Sequence, residues 1–538
     1  TAPATAPATA PATAPATAPA ANDRRDWILV GLGTATVGAK ATSGNLEKID
    51  KDDRFDSGFF HEERLAFFTR GKLLDKYLLT AAYDSHKERR DGVFQTIDPE
   101  KYYPVYGDAT DIGYDAQSRG KLYLKLESGR SYIMGGDYRT DLSENEFSRY
   151  DRALNGAKFE VNRNHLTVKG FESRTEETIT RDDIPGNGTS GHYLLSKRPV
   201  FENSERVRIE VRDRYHSERV LSITEKLRYA DYSIDYLAGT ILFKEPVPSL
   251  DQNLNPVSIV VTYQASGGGA KRYVYGGRAL LDSGNGTYFG GTAVVEEHAL
   301  KDTTLFGLDA GWRLGEWLSL KGEGAVSESL EKGRGSAWKA DLTLRPVEPL
   351  ALALYYRKVE ADFLNPSMSG NETGTEKFGG RLDYRAASNT RLYAESFVQR
   401  DELRDRRLFG NEIGASRRFS LLDADAGVKL IREDIDGKEG SSDLVWAGIK
   451  APLSAKLDAT LRREQLLSSS SIAEYQTKTF LKLDYRLNDR TRAFLTEEYQ
   501  EGAPLVRNAT VFGLESTLNE RMRLTTGYRL SSGVAGST

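Results

Sequence analysis

The chain has 538 residues, with 50 glycines, 27 tyrosines, 21 phenylalanines, three methionines and no cysteine. The missing cysteine excludes disulfide frameworks, thiolate metal sites and cysteine nucleophiles. The balance of 74 basic against 78 acidic residues gives no case for a nucleic-acid partner. Abundant Gly and Tyr with scarce Met read as strands and turns. No run approaches the ~20 apolar residues of a membrane helix, the longest weakly polar one being 27–39. A negative mean hydropathy leaves a membrane open, because a transmembrane strand faces lipid with only every second residue. No signal-peptide pattern is visible and the first residue is Thr1, so we read a mature or trimmed chain.

Taken in order, residues 1–22 begin with five copies of Thr-Ala-Pro-Ala, a proline-spaced low-complexity linker. Residues 23–175 open a series of alternating segments, each about 10–13 residues long where soluble strands average ~5–6. Leu122, Leu124 and Leu126 oppose Lys121, Lys125 and Glu127. Long loops at 42–60 and 87–119 and a medium loop at 142–154 alternate with tight turns near Gly71–Asp75, Ser128–Arg130 and Asn162–Asn164.

Residues 176–270 break the rhythm, and the stretch is too long for a structureless loop. It carries its own strand patterns at 206–212, 232–236, 240–243 and 257–263, with a hairpin turn at Leu237-Ala238-Gly239 and prolines 246 and 248 ending the third. We read a small inserted β domain that folds on its own, with Gly267-Gly268-Gly269 as its flexible exit. If the amino terminus is periplasmic, parity makes it extracellular, capping or entering the mouth. A slip of one strand makes it a periplasmic or luminal plug.

The alternation resumes over 271–538. Trp338, Ala340, Leu342 and Leu344 oppose Lys339, Asp341, Thr343 and Arg345; Leu481, Leu483, Tyr485 and Leu487 oppose Lys478, Lys482, Asp484 and Arg486. Met522, Leu524, Tyr528 and Leu530 oppose Arg521, Arg523 and Arg529. Tight turns at Gly315-Glu316, Pro346–Pro349, Ala387–Asn389, Leu487–Arg490 and Leu518–Glu520 alternate with longer polar loops such as 361–374 and 435–441. Short turns at one end and long loops at the other are the habit of membrane barrels, and a sandwich has no reason to keep it. Trp312, Trp317, Tyr355, Tyr356 and Tyr384 near strand ends suit an interfacial girdle. We count about 23 segments and expect an all-β fold, a transmembrane antiparallel β-barrel of about 22–26 strands with an inserted small β domain.

Motifs of chemistry are sparse. None of the six histidines stands in HExxH, and Leu65 occupies the place of the second His after His61-Glu62-Glu63-Arg64. Gly31-Leu32-Gly33 lacks the third glycine of a dinucleotide fingerprint and is read as packing on the first strand. The acidic stretches 434–440 and 182–187 lack the EF-hand register and are read as solvated turns. The carboxylate pairs Asp423/Asp425 and Glu497/Glu498 carry no further acid/base signature. We expect no enzyme, no cofactor and no metal. The candidate lumen or selectivity residues are Arg486, Arg521, Arg523, Arg529, Lys482 and Asp484.

Several stretches carry a resemblance. They are Gly71-Lys72-Leu73 leading to Tyr77-Leu78-Leu79-Thr80, Asp98-Pro99-Glu100-Lys101-Tyr102-Tyr103-Pro104-Val105-Tyr106-Gly107-Asp108, and Gly120-Lys121-Leu122-Tyr123-Leu124. Ser204-Glu205-Arg206-Val207-Arg208, Asp231-Tyr232-Ser233-Ile234-Asp235, Thr496-Glu497-Glu498-Tyr499-Gln500 and Asn508–Gly513 add to it. Together they resemble large Gram-negative outer-membrane β-barrel proteins, the barrel portion of long repeat-bearing surface proteins, over most of 27–538. The resemblance implies location and architecture without a substrate. The odd segment count and a polar tail at 531–538 without a terminal aromatic lead us to expect a piece of a longer barrel.

The expected function is an outer-membrane channel or conduit for solutes or an exported polymer, gated or capped by the inserted domain. Two alternatives are an outer-membrane anchor for a surface structure or adhesin, and a barrel sheath around a cytochrome partner. The expected partners are outer-membrane lipid, a periplasmic or surface protein, and the outer-membrane assembly machinery.

Overall fold

The computed structural model describes residues 27–40, 58–74, 76–85, 121–202, 204–214, 216–217, 219–266, 271–298, 300–365, 367–368, 372–468, 472, 474–501, 507–519 and 522–533. The Thr-Ala-Pro-Ala repeat, the loop 87–119, Gly267–Gly269 and Arg521 lie outside the described residues.

Twenty-three strands form one antiparallel sheet. Each pairs with the next along the chain, from Trp27–Lys40 with Gly58–Leu73 to Arg507–Asn519 with Met522–Gly533. The one long-range step joins Leu166–Thr175 to Arg272–Asp282, in register from Leu166↔Leu281 to Thr175↔Arg272. The alternating stretches read from sequence fall inside wall strands: 338–345 lies in Gly333–Val347, and 481–487 lies in Lys478–Asn488. Among the described residues the first and last strands each pair on one side only. With an odd number of antiparallel strands, those two run in the same direction.

The two faces of the sheet differ as the alternation requires. Phe306, Leu308 and Trp312 of one strand are 51%, 60% and 49% exposed, while Leu305, Gly307 and Asp309, which alternate with them, are buried. Leu320, Trp338, Leu354, Phe378, Leu392 and Ile413 continue the exposed apolar belt on neighbouring strands. The opposite face carries Arg278, Glu323, Arg357, Lys429, Glu464 and Glu498, all buried. An apolar belt on a backbone fully paired between strands is what lipid demands, since an unpaired amide or carbonyl has no partner there. The sheet is a transmembrane β-barrel wall with its charges turned inward.

The connections separate the two ends. At one end they run from two residues (129–130) to five (283–287). At the other, a few are tight but the rest extend to the 96 residues between Thr175 and Arg272. The stretch 435–441, expected as a longer loop, is a two-residue hairpin, because Asp436 and Gly437 take φ of 50° and 75° and so form the left-handed turn that a tight hairpin needs. The loop 360–374 also departs from a polar surface loop: Phe363 and Met368 are buried.

Between Thr175 and Arg272 lie two small sheets. Val220–Lys226, Arg206–Arg212, Val257–Ser266 and Glu177–Pro185 form the larger, in that order. Tyr232–Asp235, Thr240–Phe243 and Tyr193–Leu194 form the smaller. Alternation in Arg206–Arg212 sends Val207, Ile209 and Val211 into a shared core with Ile241, Phe243, Ile259, Val261 and Tyr263. The same alternation sends Arg208, Glu210 and Arg212 to the other face. The strands at 177–185, 193–194 and 220–226 have weak alternation, and the sequence pattern misses them.

Candidate functional site at the seam between insert and wall

The inserted strands leave from the end with the long connections, and their partners are inward-facing wall residues. The turn after Arg206–Arg212 makes most of the contacts. Arg214 pairs with Glu464. His216 Nε2 stands 2.8 Å from a Glu395 oxygen, and Arg219 stands 3.2 Å from the same oxygen. Ser217 Oγ donates to Glu372 at 2.9 Å. The His216 ring packs edge-on against Tyr355, and the Arg219 guanidinium lies over the Tyr355 ring. A second contact lies at 249–254, where Ser249 Oγ donates to Glu498 at 2.6 Å and Leu250 and Leu254 bury Phe480. A third is at Gly188, whose φ is +74° and which the Arg529 guanidinium of the last described strand approaches. Glycine adopts that backbone conformation without strain.

The thirteen residues from Thr140 to Arg152, a medium loop by sequence, fold inward and brace the seam. Glu323 accepts from the backbone amides of Glu146, Phe147 and Ser148 at 3.0, 2.7 and 3.0 Å. Glu146 pairs with Lys339 at 2.5 Å and Arg357 at 2.6 Å. Burial alone would raise the Glu146 carboxyl, but these two cations hold it below the usual carboxylate range. Asp151 follows the same logic: burial pushes it up, and Arg139 and Arg206 outweigh that and pull it down. Arg206 belongs to the insert and reaches Asp151 at 2.6 Å. Arg152, fully buried, donates through Nε to Gln264 of the insert at 3.1 Å and pairs with Glu296 of the wall at 3.2 Å. The charged face of the larger inserted sheet therefore meets charged partners. Within it, burial pushes Arg181 down to about 10, while Arg208 and Arg212 overcome burial and hold Glu210 low.

No family model matches the chain, and no curated protein matches it in sequence. Solved structures do align at low similarity. The P pilus usher PapC translocation pore aligns over 89% of this chain and 96% of its own at 14% identity, with a TM-score of 0.33. The ferric enterobactin receptor PfeA of Pseudomonas aeruginosa, as a G324V mutant, aligns over 85% and 70% at 10% identity with a TM-score of 0.34. The ferric-catecholate import receptor Fiu of E. coli K12 aligns over 94% and 80% at 8% identity with a TM-score of 0.29.

Lys482 pairs with Asp484 at 3.0 Å, and Arg492 reaches Asp484 at 3.5 Å. Arg486 donates to the Ala455 carbonyl near the short-turn rim. Lys482, Asp484 and Arg486 lie on the face of Phe480. Arg529 alone is brought to the insert; Arg521 and the side chain of Arg523 lie outside the described residues. Tyr355, expected in an interfacial girdle, faces the insert, because period two puts it opposite Tyr356. Trp312, Trp317 and Tyr384 are exposed at their strand ends. Gly31 and Gly33 lie on the first strand, Gly31 within van der Waals reach of Ala66 and Phe67 on the next strand and Gly33 beside open space. Asp182 and Asp183 sit in a strand rather than a turn: Asp182 accepts from Ser196 and Tyr263, and Asp183 pairs with Arg212. Asp425 pairs with Arg462 and Asp423 with Arg418; Glu498 meets Ser249, and Glu497 accepts from Thr510. Alternation missed Glu395, Glu464 and Glu372 as site residues, because nothing in the sequence links them to positions about 150–250 residues away.

Proposed function

We propose that the chain is an outer-membrane conduit whose lumen is closed by the inserted domain acting as a plug. It passes a solute or an exported polymer when the plug shifts. The exposed apolar belt and the sorting of long connections to one end support residence in the outer membrane, with the long end outside. The observation that carries the plug reading is that the insert contacts inward wall residues from Glu395 to Arg529 rather than the rim of one loop. The contacts are charged and hydrogen-bonded more than apolar, so they break at lower cost than the insert's own core. A periplasmic or surface protein that engages the insert would supply the opening step. The quoted motifs support reading the chain as the barrel portion of a longer repeat-bearing surface protein.

The test is single-channel recording in planar bilayers. The full chain is expected to be closed or to flicker. The chain with 177–270 replaced by a short Gly-Ser linker is expected to give a large steady conductance. No conductance in either form contradicts the conduit and favours an anchor.

A further inference from the structure

The lipid-facing side of the wall is apolar along its middle, but it carries cations toward the end with the long connections. Counted by alternation from the exposed apolar belt, Arg174, Lys358, Arg400, Arg407, Arg432 and Arg463 face outward there. Near the short turns the outward positions are mainly leucines, among them Leu281, Leu314, Leu487 and Leu518, all exposed. Exposed Tyr273 is the cross-strand partner of Arg174, and exposed Trp338 that of Lys358. Cations and girdle aromatics thus share one level, that of the lipid headgroups.

Half of these cations have a carboxylate at hand. Arg432 pairs with Asp443 at 2.6 Å, Lys358 with Glu402 at 3.7 Å and Arg400 with Glu376 at 3.9 Å. Arg174 lies over the Tyr273 ring, and Arg463 donates to Gln465 and Thr479. Neither these two nor Arg407 has an ion pair among the described residues. Arg400 and Arg407 stand directly opposite each other on adjacent strands. Like charges so placed repel. The Arg400 side chain is 57% exposed, and Arg407 is exposed as well, so both reach what surrounds the wall. Glu376 only partly offsets the pair, since it also accepts from the Tyr356 hydroxyl at 3.0 Å. Asp434, across from Arg407 on its other side, forms no ion pair with it.

Arg400 is the last residue but one of its strand, and Arg407 is the second of the next. Both sit one residue, ~3.3 Å, inside the strand ends, where a lipid-facing charge is cheap and where headgroups begin. Hydrocarbon offers nothing that holds two guanidiniums together. A phosphate does, because each guanidinium presents a planar fork of donors and a phosphate has oxygens for both. We propose that Arg400 and Arg407 clamp one phosphate of a phosphorylated glycolipid in the outer leaflet. The proposal takes only its orientation from the conduit reading, with the long connections outside.

The test uses the full chain in detergent and native mass spectrometry with lipid A, phosphatidylglycerol and inorganic phosphate. Lipid A is expected to stay bound, and phosphatidylglycerol to bind roughly tenfold more weakly. Arg400→Gln and Arg407→Gln are each expected to weaken lipid A binding about tenfold, and Arg400→Lys, which keeps the charge without the fork, about threefold. Arg463→Gln, three strands away on the same face, is expected to leave it unchanged. All three residues are exposed, so the variants leave the core of the wall intact. Failure of lipid A to bind the wild-type chain overturns the clamp and leaves the orientation standing. Phosphatidylglycerol binding as tightly as lipid A overturns the clamp together with the orientation. Displacement of lipid A by equimolar inorganic phosphate would mark a plain oxyanion site and also overturns it. So does an equal loss in Arg463→Gln, which would mean diffuse charge. Conductance of the linker variant decides the conduit separately.

Discussion

In the wall, Phe306, Leu308 and Trp312 face outward, while Asp309 and its neighbours face inward. In the inserted domain Val207, Ile259 and Val261 are central, and Arg208, Glu210 and Arg212 face away from them. The two regions share a strand period but invert its sense: the wall turns its apolar residues outward, and the insert gathers its own at its centre. Arg206 on the insert's charged face meets Asp151, and the turn after its strand meets Glu464 and Glu395 of the wall. The seam is held by carboxylate–cation pairs and a few apolar contacts such as Leu250 and Leu254 on Phe480. A domain with its own core on a polar seat can move without unfolding itself or the wall, and a plug needs that property.

The largest expected effect separates the two regions outright. Val261→Asp places a charge where nothing is exposed, at a cost of several kcal/mol. Hydrogen exchange should then rise across 177–266 while the wall keeps its protection. Loss of protection in both would mean that insert and wall share one core. Leu308→Arg attacks the other side: on an outward position it should cost ~2–4 kcal/mol of folding into bilayers. An unchanged bilayer folding titration would place Leu308 in water instead of lipid.

A smaller effect follows from Glu146 and Asp151. Their folded values lie below the ordinary carboxylate range. The stability they contribute is therefore complete above the unfolded values and lost as pH falls through the folded ones. Channel openings of the full chain should become more frequent as pH drops below ~4.5 and be flat from there to pH 7. The smallest effect has the opposite sign. Burial raises Glu205, which accepts from Tyr236 at 2.8 Å. A folded carboxyl held high loses stability as pH rises past its unfolded value. Glu205→Gln should therefore slow exchange in Tyr232–Asp235 at pH 7.5 and change little at pH 4.

The wall was legible because burial there obeys one local rule. Leu481 and Lys482 reveal their faces from sequence spacing alone, within the strand Lys478–Asn488. The seam was not. Arg214 meets Glu464, and Gly188 meets Arg529, across hundreds of residues and with no shared period. Tyr355 looks like any strand-end aromatic until His216 is found against it. The inward fold of 140–152 depends on Glu323 accepting three amides, a tertiary contact with no local signature.

The central claim is that the insert closes the lumen by staying on the wall. The native chain has no cysteine, so Ser249→Cys with Glu498→Cys gives a reactive pair in a silent background. After joining them with a short reducible thiol cross-linker, conductance should be held closed at pH 3.5, where unlinked protein opens, and reduction should restore opening. An efficient cross-link that leaves openings unchanged, or a pair that cannot be joined, would contradict the account.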